Sequence, residues 1–185
     1  MADRCCAPCV SCAQVDEDCV NGGFKLEFVT QPHQFANESA VDVWVEKVAH
    51  FMLTVGIDGI TLDWEGSGPN EIYGLMDTNA TLRQGMTDTL RKLKAAMQRA
   101  VPGSALSVWI GSYGNPWTPA FSAEQLASAI ASVDLFLFMD YSDCGQHNTG
   151  MANSNLPYIQ TGFNFTVNTL GFPRDQLVAV WPWWG

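Results

Sequence analysis

The stretch DGITLDWEGSG, residues 58–68, decides how the rest of the chain is read. Its apolar run, Gly59 to Leu62, lies between Gly56 and Gly66 and has the length of a buried strand rather than a helix. Side chains on a strand alternate, so Thr61, Asp63 and Glu65 fall on one face and Ile60, Leu62 and Trp64 on the other. One face carries polar chemistry while the other packs. Two carboxylates side by side at the carboxyl end of a strand repel if both ionise, so one of them is expected to hold its proton near neutral pH, as a general acid must. The competing reading is a solvated acidic loop that follows a strand, and only the surrounding sequence separates the two.

Working outward, strands and helices alternate. Lys25 to Val29 reads as a short strand, followed by a turn around Pro32. Val41, Val45, Val48, Phe51 and Met52 are spaced for one apolar face of a helix over about residues 39–54. The clearest helix covers residues 81–100, with Leu82, Met86, Leu90, Leu93 and Met97 on one side and Arg and Lys on the other, stopped by Pro102 and Gly103. ALSVWIG (residues 105–111) reads as a strand, and Ser122 caps a helix to about Ser132 with Gln125 at the capping-box position. LFLFMDY (residues 135–141) is an apolar strand ending in polar residues, residues 156–169 form a looser helical segment, and LVAVW (residues 177–181) is the last strand.

This order, with apolar strands that turn polar at their carboxyl ends, is that of parallel βα units. A doubly wound sheet and a barrel both fit. No GxGxxG or phosphate loop follows a strand, which disfavours a nucleotide-binding sheet, and the fold class expected is an α/β chain of the (β/α)8 TIM-barrel type.

At 185 residues, 47% hydrophobic and 15% charged, the chain is long enough for one sizeable core. A formal charge of −10 with no basic cluster argues against a phosphate-binding surface, so neither nucleic acid nor an anionic membrane is an expected partner. No apolar run reaches membrane-spanning length. Seven Trp and ten Phe supply flat apolar faces of the kind on which sugars stack, although most aromatic side chains in any domain are core. His33, His50 and His147 show no ligand spacing, and no metal or cofactor is expected.

Residues 1–20 form a separate Cys-rich segment, with Cys5, Cys6, Cys9, Cys12 and Cys19, while Cys144 stands alone in the body of the chain, residues 21–185. The C-x-x-C spacings permit a metal, but no second knuckle or neighbouring His completes a site, and disulfides of open connectivity are the favoured reading. N-glycosylation sequons begin at Asn37, Asn79 and Asn164. They point toward secretion, whereas the first residues show no signal-peptide pattern, a tension that a longer parent chain would relieve.

DGITLDWE resembles the DxxDxDxE signature of glycoside hydrolase family 18, the chitinases and related enzymes, with Asp58, Asp63 and Glu65 on three of its four acidic positions and Thr61 in place of the second Asp. MDYSD (residues 139–143) is similar to the family's M-x-Y-D element, and VWPWWG (residues 180–185) to its Pro-aromatic-aromatic-Gly element, in the family's order. The di-N-acetylchitobiases look nearest within the family, since they also carry a small polar residue at the second Asp. The resemblance runs from about residue 20 to the end and matches roughly the third to the seventh strand of a barrel, so a partial barrel from a longer enzyme is expected.

That resemblance implies a substrate-assisted retaining glycosidase acting on β-1,4-linked N-acetylglucosamine. Glu65 would be the proton donor, Asp63 would orient the substrate's 2-acetamido group, and Tyr141 would hydrogen-bond its carbonyl. Thr61, Asp143, Trp183 and Trp184 are candidate substrate-binding residues. Ser142 stands where the family has Asp, and Asp143 comes one residue late, which on a strand turns it to the other face. The partner implied is an N-acetylglucosamine oligosaccharide, bound by a monomer of lysosomal or secreted origin. The alternatives are a catalytically silent sugar-binding member of the same fold, against which the retained Glu65 speaks, and a non-functional fragment of the enzyme.

Overall fold

Strand β1 (Gly59–Leu62) is the first of four parallel strands in a computed structural model that describes residues 35–64, 79–111, 122–139 and 156–180. Ahead of it runs helix α1 (Glu38–Val55). The Asn37 Oδ1 accepts from the Ala40 N–H at 3.1 Å at its start, Glu38 places negative charge in the first turn, and Gly56 ends it at φ 77°, donating to the Met52 carbonyl at 2.9 Å. The left-handed angle at Gly56 is one that a Cβ would strain, and it turns the chain sharply into β1. Helix α2 (Ala80–Ala100) is capped in the same way, the Asn79 Oδ1 accepting from the N–H groups of Thr81 and Leu82. Strand β2 (Ala105–Gly111) follows. Helix α3 (Ala123–Ser132) opens on the full capping box, with the Ser122 hydroxyl accepting from the Gln125 N–H at 3.1 Å and the Gln125 side chain accepting from the Ser122 N–H at 3.0 Å. Strand β3 (Leu135–Met139), helix α4 (Leu156–Asn164) with a π-helical continuation to Thr169, and strand β4 (Leu177–Val180) complete the described elements.

The sheet order is β1-β2-β3-β4, all parallel and in chain order. Because crossovers between parallel strands are right-handed, strictly sequential strands put every connecting helix on the same side. A doubly wound sheet instead reverses its strand order at a switch point and covers both faces. Burial agrees with the one-sided arrangement. Ile60, Leu62, Leu106, Val108, Ile110, Phe136 and Phe138 are buried on the helical face, whereas Thr61, Ser107, Trp109, Leu137 and Met139 on the opposite face are only partly covered. The architecture is thus α/β with a four-stranded parallel sheet among the described residues, compatible with part of a TIM-type barrel.

The core lies between that helical face and the apolar stripes of α1 and α2. Val41, Val45, Val48 and Met52 of α1 are buried as their spacing predicts, joined by Trp44 and Ala49, while Phe51 is only half-buried. All five residues expected to form the stripe of α2 are buried. At the amino-terminal edge of the sheet, one carboxylate joins three elements. The Asp134 Oδ2 accepts from the Leu106 N–H at 2.6 Å and from the Lys94 Nζ at 2.5 Å, and Lys94 also donates to the Ser104 carbonyl at 2.8 Å. The strand expected at residues 25–29 and all six cysteines lie outside the described residues.

Candidate functional site at the carboxyl edge of the sheet

The alternation is present in three dimensions over residues 60–64. Ile60, Leu62 and Trp64 are 7%, 0% and 2% exposed, and Thr61 and Asp63 between them are half-buried on the opposite, inner face. Trp64 is the anchor for this strand end. Its indole meets the ring of Phe35 edge-on, with centroids 5.0 Å apart and planes at 76°. Phe35 in turn lies against Gly85 of α2, where its carbonyl occupies the space of a side chain. Asp63 immediately precedes this clamped residue, and its Oδ1 oxygen is enclosed.

The inner face is built in layers that follow the strand register. Gly59 pairs with Ala105, and Thr61 with Ser107. The Thr61 and Ser107 hydroxyls are hydrogen-bonded at 2.7 Å, with a longer contact of 3.5 Å from the Ser107 hydroxyl to the Ile60 carbonyl. Leu62 pairs with Val108, the last pairing between the two strands, and Asp63 and Trp109 are the residues that follow them in sequence. Trp109 is also the register partner of Leu137 in β3.

Among the predicted site residues, Thr61 and Asp63 are therefore on one face at a strand's carboxyl end. Glu65, Tyr141, Asp143, Trp183 and Trp184 lie outside the described residues. β1, β3 and β4 run parallel, so the chain leaves all three strands from the same edge of the sheet, the edge at which α/β folds carry their sites. In sequence, Glu65 follows β1 by three residues, Tyr141 follows β3 by two, and Trp183 follows β4 by three. Ser107 was missed from sequence. The alternation of ALSVWIG was visible there, but which of its two faces meets Thr61 is set by the register between strands that are 46 residues apart.

Among the described residues, no group of three or more His, Cys, Asp or Glu side chains is placed to hold a metal, and no helix is long and apolar enough to cross a membrane. Asn37, Asn79 and Asn164, the sequon asparagines, are all exposed, and the first two use their side-chain oxygen as helix caps while leaving the amide nitrogen available.

Two solved structures share this fold. The ydhD protein of Bacillus subtilis, described as a sporulation-specific glycosylase, superposes with a TM-score of 0.60 at 22% identity over 88% of this chain and 49% of its own. The C-terminal domain of a Desulfitobacterium hafniense protein described as a chitinase superposes with a TM-score of 0.56 at 12% identity over 80% of this chain and 41% of that domain. The chain thus spans about half the length or less of these two structures. No protein-family model and no curated protein matches the sequence.

Proposed function

We propose that this chain carries the acid-catalytic strand of a chitinase-type glycosidase that hydrolyses β-1,4-linked N-acetylglucosamine, as in chitobiose or chitin oligosaccharides, with retention of configuration. The observation that carries the reading is the end of β1. Trp64 is clamped on the helical side, so Asp63 is delivered to the inner face at the carboxyl edge. The names of the two structural neighbours agree with this class of chemistry.

In this mechanism protonated Glu65 gives its proton to the glycosidic oxygen as the bond to the anomeric carbon breaks. The substrate's own 2-acetamido oxygen attacks that carbon and forms an oxazolinium ion, so no protein nucleophile is required. Asp63 holds the acetamido N–H and balances the developing positive charge, and Tyr141 donates to the acetamido carbonyl. Water then attacks the anomeric carbon from the vacated side, giving its proton to the Glu65 carboxylate, and two inversions restore the original configuration. Thr61, Asp143, Trp183 and Trp184 complete the proposed sugar contacts. Thr61, where a second Asp would share a proton with Asp63, supplies a hydroxyl already held by Ser107.

The test is fluorophore release from a chitobioside reporter at mildly acidic pH by the full chain and by Glu65→Gln. Activity that disappears in the variant supports the assignment. Silence from both, with the oligosaccharide still bound, would replace hydrolysis by sugar binding.

A further inference from the structure

We propose that the folded chain accepts N-linked oligosaccharides at Asn37 and Asn79 and refuses one at the third sequon, Asn164. A sequon offers two groups that a transferase must reach, the asparagine amide nitrogen and the hydroxyl two residues on. Asn37 and Ser39 are both exposed, as are Asn79 and Thr81. The two asparagines also have extended backbone, at φ −99° and ψ 91° and at φ −127° and ψ 102°. Each divides its side-chain amide between two uses. The Oδ1 oxygen caps the helix that follows, accepting from the Ala40 N–H at 3.1 Å in one case and from the Thr81 and Leu82 N–H groups at 3.0 and 3.2 Å in the other, whereas Nδ2 points to no partner among the described residues. The donor would be a polyprenyl diphosphate-linked oligosaccharide held by its transferase. Nδ2 attacks the anomeric carbon of the first sugar and a C–N bond forms; the C–O bond to the diphosphate breaks with its electron pair on the departing oxygen, and one amide proton passes to a base of the transferase. Only Nδ2 is altered, so both caps survive.

Asn164 is exposed too, but it stands at the junction of α4 and its π-helical continuation, with helical angles of φ −60° and ψ −40°. Its hydroxyl residue, Thr166, is 0% exposed, with the Oγ1 enclosed. The Thr166 carbonyl accepts from the Phe172 N–H at 3.1 Å, and the Phe172 ring is itself buried edge-on against Phe136, with centroids 4.8 Å apart. Presenting Thr166 to a transferase therefore requires unpacking part of the core.

The experiment incubates the bare, folded full chain with solubilised oligosaccharyltransferase and the lipid-linked oligosaccharide, and maps the modified asparagines by mass spectrometry. A free peptide of residues 160–170, in which Thr166 is open, is treated alongside. Asn37 and Asn79 are expected to be modified in the folded chain, and Asn164 only in the peptide. Ser39→Ala and Thr81→Ala should each remove one glycan and leave Tm unchanged, because the cap oxygen stays in place; Asn79→Gln should remove the glycan and lower Tm through the lost cap. A folded chain that leaves Asn37 or Asn79 bare overturns the assignment, as does one modified at Asn164. A peptide that also stays bare at Asn164 overturns the structural reason for the refusal, placing it in the local sequence instead. A glycosylated chain with a lower Tm than the bare one overturns the division of the amide between cap and acceptor.

Discussion

Replacing Gly85 by Ala tests whether the helical side of the sheet holds the site end of β1. Gly85 lies inside α2, where glycine costs about 1 kcal/mol relative to alanine, so on helix propensity alone the substitution stabilises. The structure dictates the opposite sign. A Cβ at this position would fall 2.0 Å from the Phe35 carbonyl oxygen and 2.6 Å from its carbonyl carbon, whereas ordinary contact begins at 3.4 Å. The shortfall, 3.4 minus 2.0, is 1.4 Å, and it is set against backbone, which cannot rotate aside as a side chain would. Overpacking of a filled core costs about 1–3 kcal/mol, and a backbone clash of this size belongs at the upper end. Subtracting the propensity gain leaves a net loss of about 2 kcal/mol. For a chain of this length that corresponds to a fall in Tm of roughly 4–8 °C. Differential scanning calorimetry reads it directly. A Gly85→Ala protein with a raised Tm would refute the packing argument, because only propensity would then be acting.

Three further outcomes are expected. Thr61→Asp places a carboxylate against the Ser107 hydroxyl and one layer below Asp63, and the added negative charge raises the proton affinity of the neighbouring acids; the alkaline limb of the kcat/KM profile moves upward, and an unmoved limb would show that Thr61 is uncoupled from the acid pair. Asp134→Ala strips the Leu106 N–H and Lys94 of their shared acceptor and costs about 1–2 kcal/mol in urea unfolding, most of it from the backbone donor because the ion pair is partly open to solvent. Hydrogen bonds to Asp42 and then Glu38 raise the pKa of Lys92 above its ordinary value of 10.5. A raised lysine pKa contributes stability that is complete below the unfolded value and disappears as pH rises through the folded one. The stability difference between the parent and Lys92→Met is thus expected to be flat from pH 7 to 9 and to shrink only above the ordinary lysine range; a difference already vanishing near neutrality would contradict it.

Much of the fold was legible because its local signals agree with one another. Ser122 was read as a cap and the structure starts a helix after it, whereas Asn37 and Asn79, read in sequence only as sequons, prove to cap the two preceding helices, α1 and α2. Over residues 60–64 the alternation gave the two faces correctly, because burial on a one-sided sheet enforces a period of two. The contributions of β2 were not legible. That Ser107 meets Thr61 depends on long-range register, and a shift of one residue would have exchanged it for Val108. Likewise Gly85 reads in sequence as a flaw in a good helix, and only the position of Phe35 gives it a reason.

Asp63 and Trp64 are adjacent in the chain, yet their side chains belong to different layers, and this separates two classes of perturbation. Phe35, Trp64 and Gly85 form a packed column on the helical face, so a defect there loosens the end of β1 and should reduce stability and any activity together. Thr61, Ser107 and Trp109 lie on the half-open face, where an altered side chain meets fewer packed neighbours. Substitutions on that face should change pH dependence or sugar affinity with little change in Tm. A strand that alternates between core and cleft thereby keeps its chemistry separate from its support: the charge at its end is tolerated because the next residue is buried on the opposite side.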